Sequence, residues 1–195
     1  AKNNLKSTKN LTWKCDTIIG YDTLGEQNKK KIYAYDTNGN LLAELILLWQ
    51  NSVWVNSYKS IYTYDANGNR QTCLGKIWQN NSWVNSGKDS STYDASGNLL
   101  SHITEQWQGN AWVNNDECIY TYNVNGSKLT CIKKTWQNNS WVNSGKDSFI
   151  YDSNENLLIY IIQQWQNNGW MNYNKYTYEY DANGNKQSCL FEQWQ

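Results

Sequence analysis

The sequence predicts an all-β protein, an antiparallel meander of about 13 strands that is rolled or stacked as a repeat array. First, the 195-residue chain repeats every 29 residues from about Ser7 to Gln195, and such a period is typical of arrays whose units bury apolar surface against their neighbours. Second, two turn signals alternate in each unit, separated by segments rich in Tyr, Thr, Ile, Val and Trp, as in strands. Third, these segments have no helical periodicity.

The first turn signal is Asp65-Ala66-Asn67-Gly68-Asn69. Its aspartate can accept backbone N–H groups and its glycine supplies a positive φ, which predicts a three-residue hairpin loop, a type I turn closed by a glycine bulge. The aspartate recurs at 29-residue steps, and asparagine takes its place in one unit; these positions are Asp36, Asp65, Asp94, Asn123, Asp152 and Asp181.

The second turn signal, Gln79-Asn80-Asn81-Ser82, lies between Trp78 and Trp83. It predicts a four-residue loop with the two indoles facing each other across its mouth. Each repeat therefore has two strands, and the strands begin near Leu11. We assign residues 11–195 to one β-repeat array and residues 1–10 to an N-terminal segment that is either flexible or donated to a neighbour.

The loop registers predict a sheet with one aromatic face. A three-residue loop pairs Tyr64 with Arg70, and a four-residue loop pairs Trp78 with Trp83. Because one loop has an odd and the other an even number of residues, equivalent residues that are 29 positions apart lie on the same face of the sheet. That face is expected to carry Tyr62, Tyr64 and their counterparts together with the tryptophans, which we take as candidate assembly or sugar-stacking residues: Trp49, Trp54, Trp78, Trp83, Trp107, Trp112, Trp136, Trp141, Trp165 and Trp170.

This aromatic face is too large to stay exposed to water. Strand spacing and rise give a sheet of roughly 60 Å by 30 Å, well beyond the apolar patch that a soluble monomer tolerates. We therefore expect the sheet to roll up on itself or to be covered by another copy.

The composition excludes several partners. The 17 basic and 17 acidic residues are evenly spread, so no basic stripe suits nucleic acid. The longest apolar run is far shorter than the roughly 20 residues that span a bilayer, and we expect no membrane insertion. The chain opens at Ala1 without a methionine, which fits a mature secreted product, so we expect an extracellular or cell-surface location.

The cysteines define a longer period. Cys15, Cys73, Cys131 and Cys189 fall at 58-residue steps, so two kinds of hairpin alternate. Four strands, about 19 Å, separate each from the next, which is too far for a disulfide. They are either small strand residues or intermolecular thiols, and a total of five cysteines fits both interpretations.

The fifth cysteine, Cys118, falls outside the 58-residue series. A three-residue loop pairs Cys118 with Ile132 and puts its sulfur on the face opposite to that of Cys131. We therefore expect no intrachain disulfide.

The titratable residues do not indicate catalysis. The single histidine, His102, has Glu44 and Tyr160 at equivalent repeat positions, so the position tolerates unrelated chemistries. The turn aspartates are separated by two strands and do not converge as a glycosidase requires. They also lack the closing glutamate of a calcium loop, and no zinc spacing is present. We expect neither an enzyme nor a metal or other cofactor.

The Tyr-x-Tyr-Asp-x-x-Gly-Asn motif occurs at residues 33–40 and 62–69. It resembles the YD repeats of Rhs-like and teneurin-like surface proteins. The full unit, with Trp-Gln-Asn-Asn-Ser-Trp-Val-Asn between its turns, is still more similar to the repeat tracts of secreted proteins of Bacteroidota. The resemblance covers nearly the whole chain and implies an all-β repeat protein of the cell surface.

Two functions follow as hypotheses. The first is a non-catalytic extracellular structural protein that self-assembles into a fibre, sheath or surface layer, because nothing such as proline protects its open sheet edges. The second is a carbohydrate-binding adhesin module whose Trp and Tyr rows stack on polysaccharide. The expected partners are copies of the same chain or a polysaccharide.

Overall fold

The computed structural model of the protein describes residues 16–21 and 27–194. These residues form one antiparallel sheet of thirteen strands that follow each other in chain order, which confirms the predicted meander. The strands are β1 (Asp16–Tyr21), β2 (Gln27–Tyr35), β3 (Leu41–Gln50), β4 (Val53–Tyr64), β5 (Arg70–Gln79), β6 (Ser82–Tyr93), β7 (Leu99–Gln108), β8 (Ala111–Tyr122), β9 (Lys128–Gln137), β10 (Ser140–Tyr151), β11 (Leu157–Gln166), β12 (Gly169–Tyr180) and β13 (Lys186–Gln193).

The chain divides into two compact units, Ala1–Lys88 and Asp89–Gln195, and the boundary falls inside β6. The predicted N-terminal segment 1–10 and Cys15 lie outside the described residues. No helix in the described part of the chain has the length and hydrophobicity needed to cross a membrane.

The predicted three-residue loops are confirmed. In the loop between β4 and β5, the Asp65 N–H donates to the Asn69 carbonyl at 2.9 Å and the Gly68 N–H donates to the Asp65 carbonyl at 3.2 Å. Gly68 has φ 85°, a conformation that glycine adopts without steric cost. The same pair of hydrogen bonds recurs in every turn of this type from Asp36 to Asn185.

The loops between the tryptophans are shorter than the predicted four residues. Strand β5 extends to Gln79 and β6 begins at Ser82, which leaves only Asn80 and Asn81 in the loop. Both have positive φ, 49° and 58°, the geometry of a type I′ turn, whose twist matches that of the flanking strands. Asparagine tolerates this left-handed conformation better than most residues.

A β-bulge in β4, β8, β10 and β12 overturns part of the predicted face assignment. In β4, Leu47 pairs with Asn56 but Ile46 pairs with Tyr58, so Ser57 is an extra residue. Since the side-chain period of a strand is two residues, this insertion reverses the alternation along β4.

The indoles and the tyrosines consequently lie on opposite faces of each unit. Trp54 shares its face with Trp49, whereas Tyr62 lies on the other face, directly opposite Cys73. We call these the tryptophan face and the tyrosine face. The tryptophan face corresponds to the predicted aromatic face, but the expectation that Tyr62 and Tyr64 also lie on it was wrong.

The sheet has very little core. Among the described residues no large side chain is fully buried, and the buried ones are small or polar: Ala34, Ser60, Ser91, Cys131 and Asp147. Stability must therefore come mainly from cross-strand pairs and backbone hydrogen bonds spread over the sheet.

Candidate functional site

Within residues 27–194, five pairs of tryptophans mark the ends of the hairpins that carry type I′ turns. In each pair the ring centroids lie 4.9 to 5.1 Å apart and the planes cross at 62 to 73°. This edge-to-face geometry is the favoured arrangement of aromatic rings. The pairs are Trp49–Trp54 and Trp78–Trp83 in the first unit, and Trp107–Trp112, Trp136–Trp141 and Trp165–Trp170 in the second.

Strand β13 exposes large apolar side chains in the second unit. Leu190 is 59% exposed and Phe191 is 49% exposed. Trp194 follows the strand and is also exposed, as are Met171 and Tyr173 on the neighbouring strand β12. Scattered exposed apolar residues are normal in folded proteins.

A ladder of four rings, of which the first three are stacked and the last is tilted by 39° against its neighbour, crosses the tyrosine face of the second unit. Its successive ring centroids are 4.8, 5.6 and 5.1 Å apart. Each contact joins residues that are directly opposite each other in the sheet, the geometry in which cross-strand aromatic pairs stabilise a sheet. The ladder consists of Phe149, Tyr160, Tyr176 and Phe191.

A buried carboxylate lies beside this ladder. The Lys133 Nζ lies 2.8 Å from the Asp147 Oδ2, and the Tyr160 hydroxyl donates to Asp147 at 3.3 Å. The hydrogen bond with Asp147 raises the pKa of Lys133. Because each charge has a partner, we interpret this cluster as part of the packing of the tyrosine face rather than as acid–base machinery.

His102 is held within the sheet. Its Nδ1 lies 3.0 Å from the Ser91 Oγ, and the residue is paired directly with Cys118 on β8. Among the described residues no three His, Cys, Asp or Glu side chains are grouped closely enough to hold a metal ion.

The predicted geometry of Cys118 was wrong. The register pairs Cys118 with Lys133 rather than with Ile132, and it pairs Tyr120 with Cys131. Cys118 and Tyr120 are two residues apart in β8, so Cys118 and Cys131 share the tyrosine face. The reason is a register shift between Thr121 and Tyr122, close to the hairpin.

The candidate intermolecular thiols differ in accessibility. Cys131 is only 6% exposed, and burial raises the pKa of its thiol to about 11, so it stays protonated at neutral pH. Cys189 on β13 is exposed and free. Cys73 is partly buried.

The turn aspartates form a row at the opposite ends of the strands from the tryptophan pairs. The Asp65 Oδ1 accepts the N–H groups of Asn67 and Asn69 at 2.9 and 2.8 Å, and its Oδ2 accepts the Asn69 side-chain amide at 3.0 Å. That amide bond is the main reason why the pKa of Asp65 is lowered. Asp36, Asp94, Asp152 and Asp181 have lowered pKa values for the same reason.

A carboxylate contact that sequence reasoning missed links two neighbouring turns. Glu155 stands where the equivalent turns have glycine and has φ 64°. Its carboxylate accepts the side-chain amide of Asn123 at 3.0 Å and hydrogen bonds from Asn125 and Ser127 at 2.5 Å. The sequence signal was the joint departure of adjacent units from the repeat, Asn123 for aspartate and Glu155 for glycine.

Strand order, turns and paired tryptophans together define a repeat-like all-β protein. Neither protein-family models nor curated proteins show a match to the chain. Among solved structures, the chain resembles the crystal structure of TcdB2-TccC3-TEV with a TM-score of 0.59 and 16% identity, over 92% of this chain and 9% of that one. The likeness supports the all-β repeat fold alone.

Two smaller bacterial proteins also match. The first, of unknown function, is from Bacteroides fragilis, with a TM-score of 0.43, 12% identity, and coverage of 70% of this chain and 93% of that one. The second is a DUF3836 family protein from Bacteroides vulgatus, with a TM-score of 0.35, 26% identity, and coverage of 43% and 89%.

Proposed function

We propose that this chain is a non-catalytic extracellular structural protein that assembles with copies of itself into a fibre, sheath or surface layer. The observation that carries the proposal is the row of paired tryptophans on the tryptophan face of each unit. A contiguous aromatic surface of this kind is typical of an association surface. Burial of these rings against another copy would add a hydrophobic contribution to assembly.

The repeats themselves are proposed to be of the YD class. The support is the Tyr-x-Tyr-Asp-x-x-Gly-Asn motif. In the turn at Asp65–Asn69, the aspartate carboxylate accepts the Asn69 N–H and the glycine N–H donates to the Asp65 carbonyl. The secreted location belongs to the same proposal and rests on the resemblance to repeat tracts of surface proteins.

Electron microscopy tests self-assembly directly. The purified 195-residue chain is examined by negative staining over a range of concentrations, without any added sugar. Ordered polymers are expected. A uniform population of monomers at every concentration would contradict the proposal.

A carbohydrate-binding adhesin module is the second candidate, favoured by the row of paired indoles on one face of each unit. Indole faces stack on sugar rings, although the edge-to-face contact within each pair already occupies part of that surface. Co-sedimentation with insoluble polysaccharides, followed by tryptophan fluorescence, separates the two candidates. Binding by a soluble monomer would favour the adhesin.

A further inference from the structure

We propose that the tryptophan face binds a neutral, extended β-1,4-linked glycan, with one disaccharide at each tryptophan pair. The inference rests on the second candidate function, the carbohydrate-binding adhesin module, and names its ligand and the groups that bind it. It follows from three features of the interior strands: an asparagine beside each pair, the balance of charge there, and the spacing of the pairs.

An asparagine follows the second tryptophan of every pair, two residues further along the strand. Because side chains alternate between the faces of a strand, it lies on the tryptophan face. In β4, β8, β10 and β12 the bulge comes after this asparagine and does not move it. The five residues are Asn56, Asn85, Asn114, Asn143 and Asn172.

The amides of these asparagines are available to a ligand. Within the described part of the chain, the side chains of Asn56, Asn114 and Asn143 make no hydrogen bond, and none of their amide atoms is buried. Asn172 accepts a hydrogen bond from Gln163 at 2.9 Å and keeps its own amide N–H groups. Since an amide both donates and accepts, it suits a sugar hydroxyl, and it stands beside an aromatic surface that suits the sugar ring.

The cation beside Trp136 is neutralised. Lys134 is two residues from Trp136 and directly opposite Asn143, and its Nζ lies 2.9 Å from the Glu117 Oε2. The equivalent position one repeat further along the chain is the uncharged Gln163. These positions are therefore complementary to an uncharged sugar rather than to an anionic one.

One indole of each pair keeps both of its faces clear of its partner. In an edge-to-face contact, such as that of Trp136 with Trp141 at 73°, only the ring that is met by its partner's edge has a face covered. The contact also fixes the orientation of both rings, so that little side-chain freedom is lost when a ligand binds.

The spacing of the pairs selects the linkage of the glycan. Successive pairs within one unit are two strands apart, about 9.6 Å, which is close to the length of one disaccharide in an extended β-1,4-linked chain. The ring substituents along such a chain are equatorial, so each sugar presents a flat C–H surface to an indole. Every second sugar has the same orientation, so each disaccharide meets the same groups. An α-1,4-linked chain coils and does not follow such a row.

Titration calorimetry of the 195-residue chain with soluble sugars tests the ligand class. The β-1,4-linked hexamers of glucose and of N-acetylglucosamine are compared with three sugars that each change one property: the α-1,4-linked glucose hexamer, the anionic β-1,4-linked glucuronic acid hexamer and the β-1,4-linked glucose dimer. At least one neutral β-linked hexamer should bind about tenfold or more tighter than all three, and the tighter of the two identifies the source of the glycan. Equal or tighter binding of a comparison sugar, or no binding of either neutral hexamer, would overturn the proposal.

Removal of the amides tests the role of the asparagines. Asn114→Ala, Asn143→Ala and Asn172→Ala are combined in one variant, whose dissociation constant for the neutral hexamer should rise about tenfold or more through the loss of hydrogen bonds. Asn154→Ala, in an exposed turn at the opposite end of the strands, is the matched control and should leave the constant unchanged. If circular dichroism shows that the combined variant does not fold, Asn143→Ala alone should raise the constant about threefold. An unchanged constant in a folded variant would overturn the proposal.

The outcomes separate this inference from the proposed functions. Ordered polymers that bind no hexamer would retain self-assembly and overturn the glycan site. Binding of the α-linked hexamer alone would retain the adhesin module and overturn the β-1,4-linked ligand. Binding of a neutral β-linked hexamer by a chain that stays monomeric at every concentration would support the glycan site and overturn the fibre or surface layer.

Discussion

At the residue scale, the pair Asn123 and Glu155 shows how one repeat compensates for another. Asn123 lacks the carboxylate that its counterparts carry, and Glu155 supplies one from the next turn. Hydrogen bonds from Ser127, then Asn125 and Asn123, lower the pKa of Glu155. Glu155 adopts φ 64° at a position where the other turns have glycine, so the contacts must offset some backbone strain.

This compensation predicts that the effect of Asn123→Asp depends on residue 155. In the natural chain the substitution sets two carboxylates against each other and should lower the melting temperature. In a Glu155→Gly background it restores the Asp and Gly of the repeat and should raise the melting temperature. Thermal unfolding by circular dichroism of the four variants measures the coupling. If Asn123→Asp changed the melting temperature in the same direction in both backgrounds, the compensation would be contradicted.

A second residue-scale prediction concerns the tyrosine hydroxyls that tie neighbouring strands together. The Tyr122 hydroxyl donates to the Leu99 carbonyl at 2.9 Å, and Tyr64, Tyr151 and Tyr180 make equivalent bonds. Tyr122→Phe should therefore lower the free energy of unfolding by about 0.5–1.5 kcal/mol. Urea denaturation provides the measurement.

The matched control for this prediction is Tyr173→Phe. Tyr173 is exposed and its hydroxyl makes no hydrogen bond within the described part of the chain, so the change should stay within about 0.5 kcal/mol. Equal effects of the two substitutions would show that the Tyr122 hydroxyl contributes nothing to stability.

At the element scale, the two turn types differ in what they require of their residues. Ser52 has φ 63° in the type I′ turn between β3 and β4, a conformation that costs a residue with a Cβ atom about 1–2 kcal/mol. Ser52→Gly should relieve this strain and, after the entropy cost of glycine, raise the free energy of unfolding by about 0.5–1 kcal/mol. Chemical denaturation measures the gain.

Ser96 is the matched control for the turn prediction. It lies in the type I turn that begins at Asp94, where its N–H donates to the Asp94 Oδ1 at 2.9 Å. Ser96 does not have a positive φ, so Ser96→Gly relieves no backbone strain. Because glycine gives the unfolded chain more conformational freedom, the substitution should lower the free energy of unfolding by up to about 1 kcal/mol. A gain in both variants would contradict the assignment of the strain to Ser52.

The elements also show what sequence could predict. The 29-residue period and the Asp and Gly of each turn were enough to predict the meander and its three-residue loops. The bulge at Ser57 could not be predicted, because its residues carry no glycine or proline and act only through the register. That one residue moved the tyrosines of β4 to the other face. A separate register shift, beside Tyr122, explains the error at Cys118.

At the scale of the whole molecule, a sheet whose described residues include no large, fully buried side chain depends on contributions that recur along the chain. The turn aspartates are such a contribution. Their pKa values in the folded chain lie below the ordinary value of 3.8. Each therefore adds stability that is fully present above about pH 4 and is lost as the pH falls through the folded pKa.

This linkage predicts acid sensitivity of the whole array. The melting temperature should remain nearly constant from pH 7 to pH 5 and fall progressively below pH 4, because protonation removes the charge-assisted bonds from the Asn side chains and the turn N–H groups. A variant with asparagine at all five turn aspartates is the control. It should be less stable at pH 7 but should lose less between pH 5 and pH 3. An equal loss in both proteins would place the acid-sensitive groups outside the turns.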